Sequence, residues 1–382
     1  MSSPLSNLPV LVETPAQLAQ ALQAIARQPR FALDTESNSL YAYRERVCLI
    51  QVSIPGADYL IDPLALPHLG SLGELLADPA IEKVLHGAEY DVLCLNRDFG
   101  FRLKNLFDTR VASRTLGWPR SGLGDLLERA LGVTLSKRYQ RANWGRRPLP
   151  QEMLAYACLD THYLLELRDR LSRDLQAVGQ WEAFQELCAH LAELEAKENG
   201  FDPQGFWQIR GARHLSARGQ ALLQELYLLR DQLARELDQP PFKILSDPAL
   251  MALAKSPPRR QSELTRTPGI SKRTARKFGA QLMDAIRRAS NGAPPKRPRQ
   301  RGMDDLAHAR FEALRQWRKQ IAQRLKVESD IILPRDLMLS LATHPPRSLQ
   351  ELEVRMAPLQ LRFRLYGDAI FQTLTQNRKR PS

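Results

Sequence analysis

Phe31-Ala-Leu-Asp34-Thr-Glu36 is an apolar run that ends on two carboxylates spaced two residues apart. The apolar lead-in predicts a buried strand. Alternation along a strand puts residues i and i+2 on the same face, so Asp34 and Glu36 point the same way. Two like charges side by side at a strand end are costly unless a cation neutralises them, and an oxygen-only ligand set suits magnesium or manganese. An Asp-X-Glu triplet is common, so the reading needs the rest of the chain.

Around this strand the chain alternates strand and helix signals. Pro9-Val-Leu-Val-Glu13 reads as a short strand. Thr14-Pro15 then supplies an N-cap with proline at the first helical position, and Leu18, Leu22 and Ile25 carry the helix to about Gln28. Val47-Cys-Leu-Ile-Gln-Val-Ser53 and Tyr59-Leu-Ile61 continue an antiparallel meander from the Asp34 strand. A helix over Leu69–Leu76, a strand over Lys83-Val-Leu-His86 and a helix over Tyr90–Arg97 follow. The order is that of an α/β domain with a mixed sheet of five strands. From Asp108 to Asn199 the pattern is helical, apart from a polar loop around Ser136–Pro150.

Two further acidic motifs stand apart from the first. His86-Gly-Ala-Glu89-Tyr90-Asp91 runs from a strand end into a helix, with Asp91 in the first turn, where the dipole tolerates a carboxylate. Leu154-Ala-Tyr156-Ala-Cys-Leu-Asp160 lies within a helix that begins near Pro150, and its Tyr and Asp, four apart, share a face. Each motif alone is compatible with capping or packing.

The formal charge of +13 is unevenly divided. Residues 1–200 hold 21 Lys/Arg and 25 Asp/Glu, a net −4; residues 201–382 hold 34 and 17, a net +17. A near-neutral body joined to a strongly basic half suggests catalysis coupled to polyanion binding. The four cysteines, Cys48, Cys94, Cys158 and Cys188, form no CxxC pair, which argues against a zinc site or disulfide framework and for buried thiols in a reducing cytoplasm. No apolar run approaches the ~20 residues of a membrane span, and the N-terminal residues lack the pattern of a signal peptide.

In this order and spacing, the three acidic motifs resemble those of the DEDD exonucleases, in the branch whose third motif carries tyrosine. Asn143-Trp-Gly-Arg-Arg-Pro-Leu149, the run Tyr156–Leu165, Lys83–His86 and Asp108-Thr-Arg narrow the resemblance to ribonuclease D, over residues 8–195. The resemblance implies a ribonuclease H-like fold and two divalent ions, Mg²⁺ or Mn²⁺, held by Asp34, Glu36, Asp91 and Asp160. In the implied roles Asp34 bridges both ions, Glu36 and Asp160 hold the nucleophile-side ion, Asp91 supports the other, and Tyr156 orients the attacking water. Where the family often has Ser-Glu before its second aspartate, this chain has Glu89-Tyr90. Val92, Leu93 and Leu95 nevertheless keep the register at Asp91, with Glu89 as the less favoured substitute.

Beyond Phe201 the helical segments are punctuated by Pro240-Pro241, Pro257-Pro258 and Thr267-Pro-Gly-Ile270. With Arg218 and the apolar series Leu222, Leu223, Leu226 and Leu229, residues 211–290 resemble the HRDC domain. Residues 303–376 repeat the pattern more loosely, with Phe311 and Trp317 placed in that domain's core. The expected organisation is thus an exonuclease domain over 1–200, an HRDC domain over 211–290, a Pro/Arg-rich linker over 291–302 and a second, divergent HRDC-like domain over 303–376. Lys272, Arg273, Arg276 and Lys277 crowd the start of one helix beside the Pro-Gly turn, an arrangement suited to phosphate contact. The resemblance implies an exoribonuclease that acts from 3′ ends on RNA, with tRNA precursors as substrate and no obligate protein partner. A DNA exonuclease and a non-catalytic nucleic-acid-binding protein are the alternatives.

Overall fold

The computed structural model describes residues 8–196, 200–291, 295–296 and 305–376. Most of the linker 291–302 and the basic tail after Gln376 lie outside the described residues. One compact unit draws on residues 1–37, 47–196 and 301–382; the other draws on 38–46 and 197–300.

The first unit opens with β1 (Val10–Val12) and α1 (Pro15–Ala26). Thr14 caps α1 in a reciprocal capping box with Gln17, and Pro15 takes the first helical position, where its missing N–H costs nothing. There follow β2 (Arg30–Ser37), β3 (Val47–Ile54), β4 (Ala57–Ile61), α2 (Gly70–Ala77), β5 (Glu82–Leu85), α3 (Glu89–Phe99) and β6 (Leu106–Asp108). The helices α4 (Thr109–Thr115), α5 (Leu123–Leu131), α6 (Gln151–His162), α7 (Leu164–Ala177) and α8 (Trp181–Ala192) complete the α/β part.

The sheet has six strands in the order β1-β4-β3-β2-β5-β6, not five. The additional strand, β6, is only three residues long, so it has no alternation for sequence reading to detect. It becomes a strand through parallel pairing with β5, Lys83 opposite Leu106 and Leu85 opposite Asp108. The β2-β3-β4 meander is antiparallel, and the flanking pairs β1-β4, β2-β5 and β5-β6 are parallel. Every residue of the central strand β3 is buried, as a strand covered on both faces must be. The larger core joins Ile25, Phe31, Leu33, Ile50 and Val52 to the helices on one side. A smaller one gathers Leu49, Leu60, Trp144, Met153 and Tyr156 beneath α6.

Residues 305–376 belong to this same unit and form α13 to α17, numbered after the helices of the second unit, which are α9 (Ala217–Glu236), α10 (Pro241–Ile244), α11 (Asp247–Lys255) and α12 (Lys272–Asn291). The series α13 (Asp305–Leu325), α14 (Ser329–Ile332), α15 (Arg335–Thr343), α16 (Leu349–Arg355) and α17 (Gln360–Gln376) repeats the long-short-medium-long plan of α9 to α12. Where the first copy has a 3₁₀ turn over Gln261–Arg266, the second has α16. Trp317 packs edge-on against Tyr366, and Trp317 and Phe311 both lie against the α13–α17 core.

Glu186 of α8 anchors this second helical domain. It accepts from the guanidinium of Arg362 at 2.9 Å, and Arg362, itself buried, also donates to the carbonyls of Ala183 and Ile331. Removing one partner of a buried pair leaves a charge without compensation, so Glu186→Ala is expected to destabilise this unit by about 3 kcal/mol. Urea unfolding of the full chain checks this; a change under about 0.5 kcal/mol would assign Arg362 to its carbonyl contacts alone.

Candidate metal centre and active site

The antiparallel register fixes the first motif. Asp34 pairs with Gln51 and Glu36 with Leu49, and the register shifts between Glu36 and Ser37, the last residue of β2. Both carboxylates therefore face α6, which brings Asp160 to them. One oxygen from each of Asp34, Glu36 and Asp160 lies within 4.8 Å of the others. These side chains are half-buried, yet the surrounding protein is dense enough to penalise their ionisation.

Asp91 joins from the second motif by a different route. Gly87, at φ +71°, turns the chain out of β5 into α3. Its N–H and that of Ala88 donate to the carboxylate of Asp108, at 3.0 and 2.7 Å. Asp108 also caps α4 through the N–H groups of Arg110 and Val111. One buried carboxylate thus ties the β5–α3 turn to the end of β6. The turn delivers Asp91 into the interior, where it accepts a 2.5 Å hydrogen bond from the hydroxyl of Thr35, while Glu89 is exposed. Asp91 stands beside the triple cluster rather than within it.

Tyr156 and Asp160 share one face of α6. The ring of Tyr156 is held by Trp144 at 6.3 Å and edge-on by Tyr139 at 5.6 Å, both from the loop before the helix. That loop is pinned by Arg147, which grips buried Asp62 with two nitrogens and donates to the carbonyls of Cys48 and Trp144. The far end of α6 is clamped too. His162 bonds Asp58 at 2.8 Å, Ser53 donates to the other oxygen of Asp58, and Ser53 meets Thr161 at 2.7 Å. Asp58, Asp62, Ser53 and Thr35 were not singled out from the sequence. Their partners lie 56 to 108 residues away, or across a hairpin, and no local pattern marks them.

The electrostatics follow from this crowding. Burial, followed by the charges of Asp91, Asp160 and Glu36, holds the Asp34 carboxyl well above the usual carboxylate range. Burial, followed by the charges of Asp160 and Asp91, pushes Glu36 to about 9. Burial raises Asp160 to about 7, and it raises Asp91 to about 7 against the opposing hydrogen bond from Thr35. None of the four draws a compensating Lys or Arg among the described residues. Four carboxylates crowded together without a counter-charge, offering only hard oxygen donors, fit divalent cations of the Mg²⁺ or Mn²⁺ class.

A stability prediction follows. Raised carboxylate pKa values mean that the folded protein binds more protons than the unfolded chain, so the stabilisation is complete below about pH 4 and is lost as pH climbs through the folded values. In EDTA the melting temperature should therefore fall between about pH 6 and 9. Millimolar Mn²⁺ should flatten that fall by replacing protons with cations. A metal-free melting temperature that stays level over this window would contradict the electrostatic description.

Residues 9–176 match the family model described as 3′-5′ exonuclease, and residues 219–286 and 307–374 each match that of the HRDC domain. The chain carries a 3′–5′ exonuclease domain followed by two HRDC domains, the domain plan of the ribonuclease D-like exonucleases. Its fold is the ribonuclease H-like exonuclease domain with helical HRDC domains. Among solved structures, Escherichia coli RNase D, an exoribonuclease involved in structured RNA processing, aligns at 26% identity with a TM-score of 0.66, over 96% of this chain and 99% of that one. The catalytic core of RRP6 from Trypanosoma brucei aligns at 28% identity with a TM-score of 0.68, over 76% of this chain and 82% of that one. The exosome complex exonuclease RRP6 of Saccharomyces cerevisiae is 31% identical over 75% of this chain. The exosome complex component 10 homolog of Caenorhabditis elegans is 35% identical over 65%. The chain spans about a third of the length of such curated relatives, 42% and 29% in these two cases.

The four cations expected to meet phosphate, Lys272, Arg273, Arg276 and Lys277, are all exposed on the first two turns of α12. All four cysteines are buried, and none is joined in a disulfide among the described residues. No helix among the described residues is long and apolar enough to cross a membrane.

Proposed function

We propose that the chain is a 3′→5′ exoribonuclease that hydrolyses the terminal phosphodiester bond of RNA and releases nucleoside 5′-monophosphates. The convergence of Asp34, Glu36 and Asp160 within 4.8 Å, with Asp91 and Tyr156 beside them, carries this reading. Asp34, Glu36 and Asp160 would hold one divalent ion, and Asp34 with Asp91 a second. When bound, the two ions supply Lewis acidity, activating water on one side of the phosphate and neutralising the leaving oxygen on the other.

The chain's own residues do the rest. Burial, followed by the charges of Asp160, Glu36 and Asp34, holds the Tyr156 phenol far above its ordinary range, so it keeps its proton and orients water as a hydrogen-bond partner rather than as a base. Trp144 and Tyr139 fix the ring that carries that hydroxyl. Lys272, Arg273, Arg276 and Lys277 would meet the RNA backbone as sequence-independent phosphate contacts. The domain plan is the exonuclease body over 1–200, HRDC domains over 211–290 and 303–376, and the linker 291–302 between them.

RNA with a single-stranded 3′ extension is the substrate class, and the 3′ trailer of a tRNA precursor is the first example to try. A 5′-labelled, 3′-extended tRNA incubated with Mg²⁺ or Mn²⁺ should shorten one nucleotide at a time and release 5′-monophosphates. A matched DNA strand should be digested more slowly. Internal cuts, 3′-monophosphate products or faster digestion of DNA would overturn the reading.

A further inference from the structure

The sheet register lays two polar rows beneath α6. Ser53 stands opposite Ala32 and Asp58, while Gln51 stands opposite Asp34 and Leu60. Residues paired directly across neighbouring strands project to one face, so Gln51 points to the side occupied by Asp34, Glu36 and α6.

The Ser53 row is satisfied by Asp58, Thr161 and His162. The Gln51 row is not. Gln51 is wholly buried, its β4 neighbour Leu60 is apolar, and neither its amide nitrogen nor its amide oxygen has a hydrogen-bond partner among the described residues. Buried polar groups are nearly always paired, and a leucine here would spare the fold a penalty. An amide in this place therefore points to a partner engaged when the site is at work. The group that faces it in register and can accept its N–H is the Asp34 carboxylate.

We propose that Gln51 is a positioning residue for the cation site, its side-chain N–H holding the ionised Asp34 carboxylate in the orientation that serves the ions. This rests on the reading of Asp34, Glu36 and Asp160 as ligands. A carboxylate that binds a cation through one lone pair keeps others free, and an outer donor on them fixes its rotation. Such outer partners typically change metal affinity by about 10- to 100-fold.

The test uses the full chain with Gln51→Met, which keeps length and bulk but removes the amide, and Gln51→Leu as a second variant should the first fail to fold. Mn²⁺ affinity is read by titration calorimetry, and the melting temperature is read in EDTA. The expected result is affinity weaker by about 10-fold, with a metal-free melting temperature that holds or rises because an unpaired buried amide is gone. Full Mn²⁺ affinity in the variants would overturn the proposal, whatever the melting temperature. Asp34→Ala separates the two levels of the argument. If it loses Mn²⁺ binding while the Gln51 variants keep theirs, only the role of Gln51 fails. If the unaltered protein and Asp34→Ala behave alike, the cation-site reading fails and takes this proposal with it.

Discussion

Replacing Asp34 or Asp160 by alanine is expected to abolish RNA hydrolysis while leaving a folded protein that still binds RNA. Each substitution removes one member of the carboxylate trio, whose oxygens lie within 4.8 Å of one another. Losing a ligand from such a site forfeits several kcal/mol of barrier lowering, and ~4 kcal/mol corresponds to about 10³-fold in rate. Neither change opens a hole in the hydrophobic core, since both side chains are polar and only half-buried. Without metal the variants should melt no lower than the unaltered chain above about pH 7, because each removes a carboxylate whose ionisation the site opposes. Single-turnover digestion of a 3′-labelled RNA measures the rate, and a filter-binding curve measures retained affinity. A variant that keeps more than about a tenth of the rate would contradict the assignment, since that leaves less than ~1.4 kcal/mol for the ligand.

Tyr156→Phe is expected to cost less, about 10²-fold, within the usual range for a positioned proton donor or acceptor. The ring would remain stacked on Trp144 and edge-on to Tyr139, so packing is preserved and only the hydroxyl is lost. Because burial and the carboxylates keep that hydroxyl protonated across the working range, the slope of the pH–rate profile should be the same in the variant. Equal losses for Tyr156→Phe and Asp34→Ala would mean that the phenol does more than orient water. A changed slope between pH 7 and 9 (about the span of the raised carboxylates) would mean that it titrates.

The sequence by itself determined the parts whose signals are local. Alternation in Phe31–Glu36 put two carboxylates on one strand face, and i, i+4 spacing put Tyr156 above Asp160 on one helix. Proline and glycine punctuation marked the repeated helical plan of α9–α12 and α13–α17. The three motifs, in order, were enough to bring the ribonuclease D resemblance into view. Periodicities of this kind are set by backbone geometry, so they survive without knowledge of any neighbour.

Only the tertiary structure decided the rest. β6 is a strand because β5 lies beside it, and its three residues carry no pattern of their own. Between Glu89 and Asp91, only Asp91 is turned inward to the hydroxyl of Thr35, a choice made by the Gly87-Ala88 turn, which Asp108 holds from 20 residues further along the chain. The clamps on α6, Arg147 to Asp62 and His162 to Asp58, join residues 85 and 104 positions apart. Gln51 reads as one polar letter in an apolar strand; its unpaired amide beside Asp34 emerges only from the register. Hydrogen bonds and charges act over a few ångströms in space, and the distance along the chain that separates the partners leaves no trace in either segment alone.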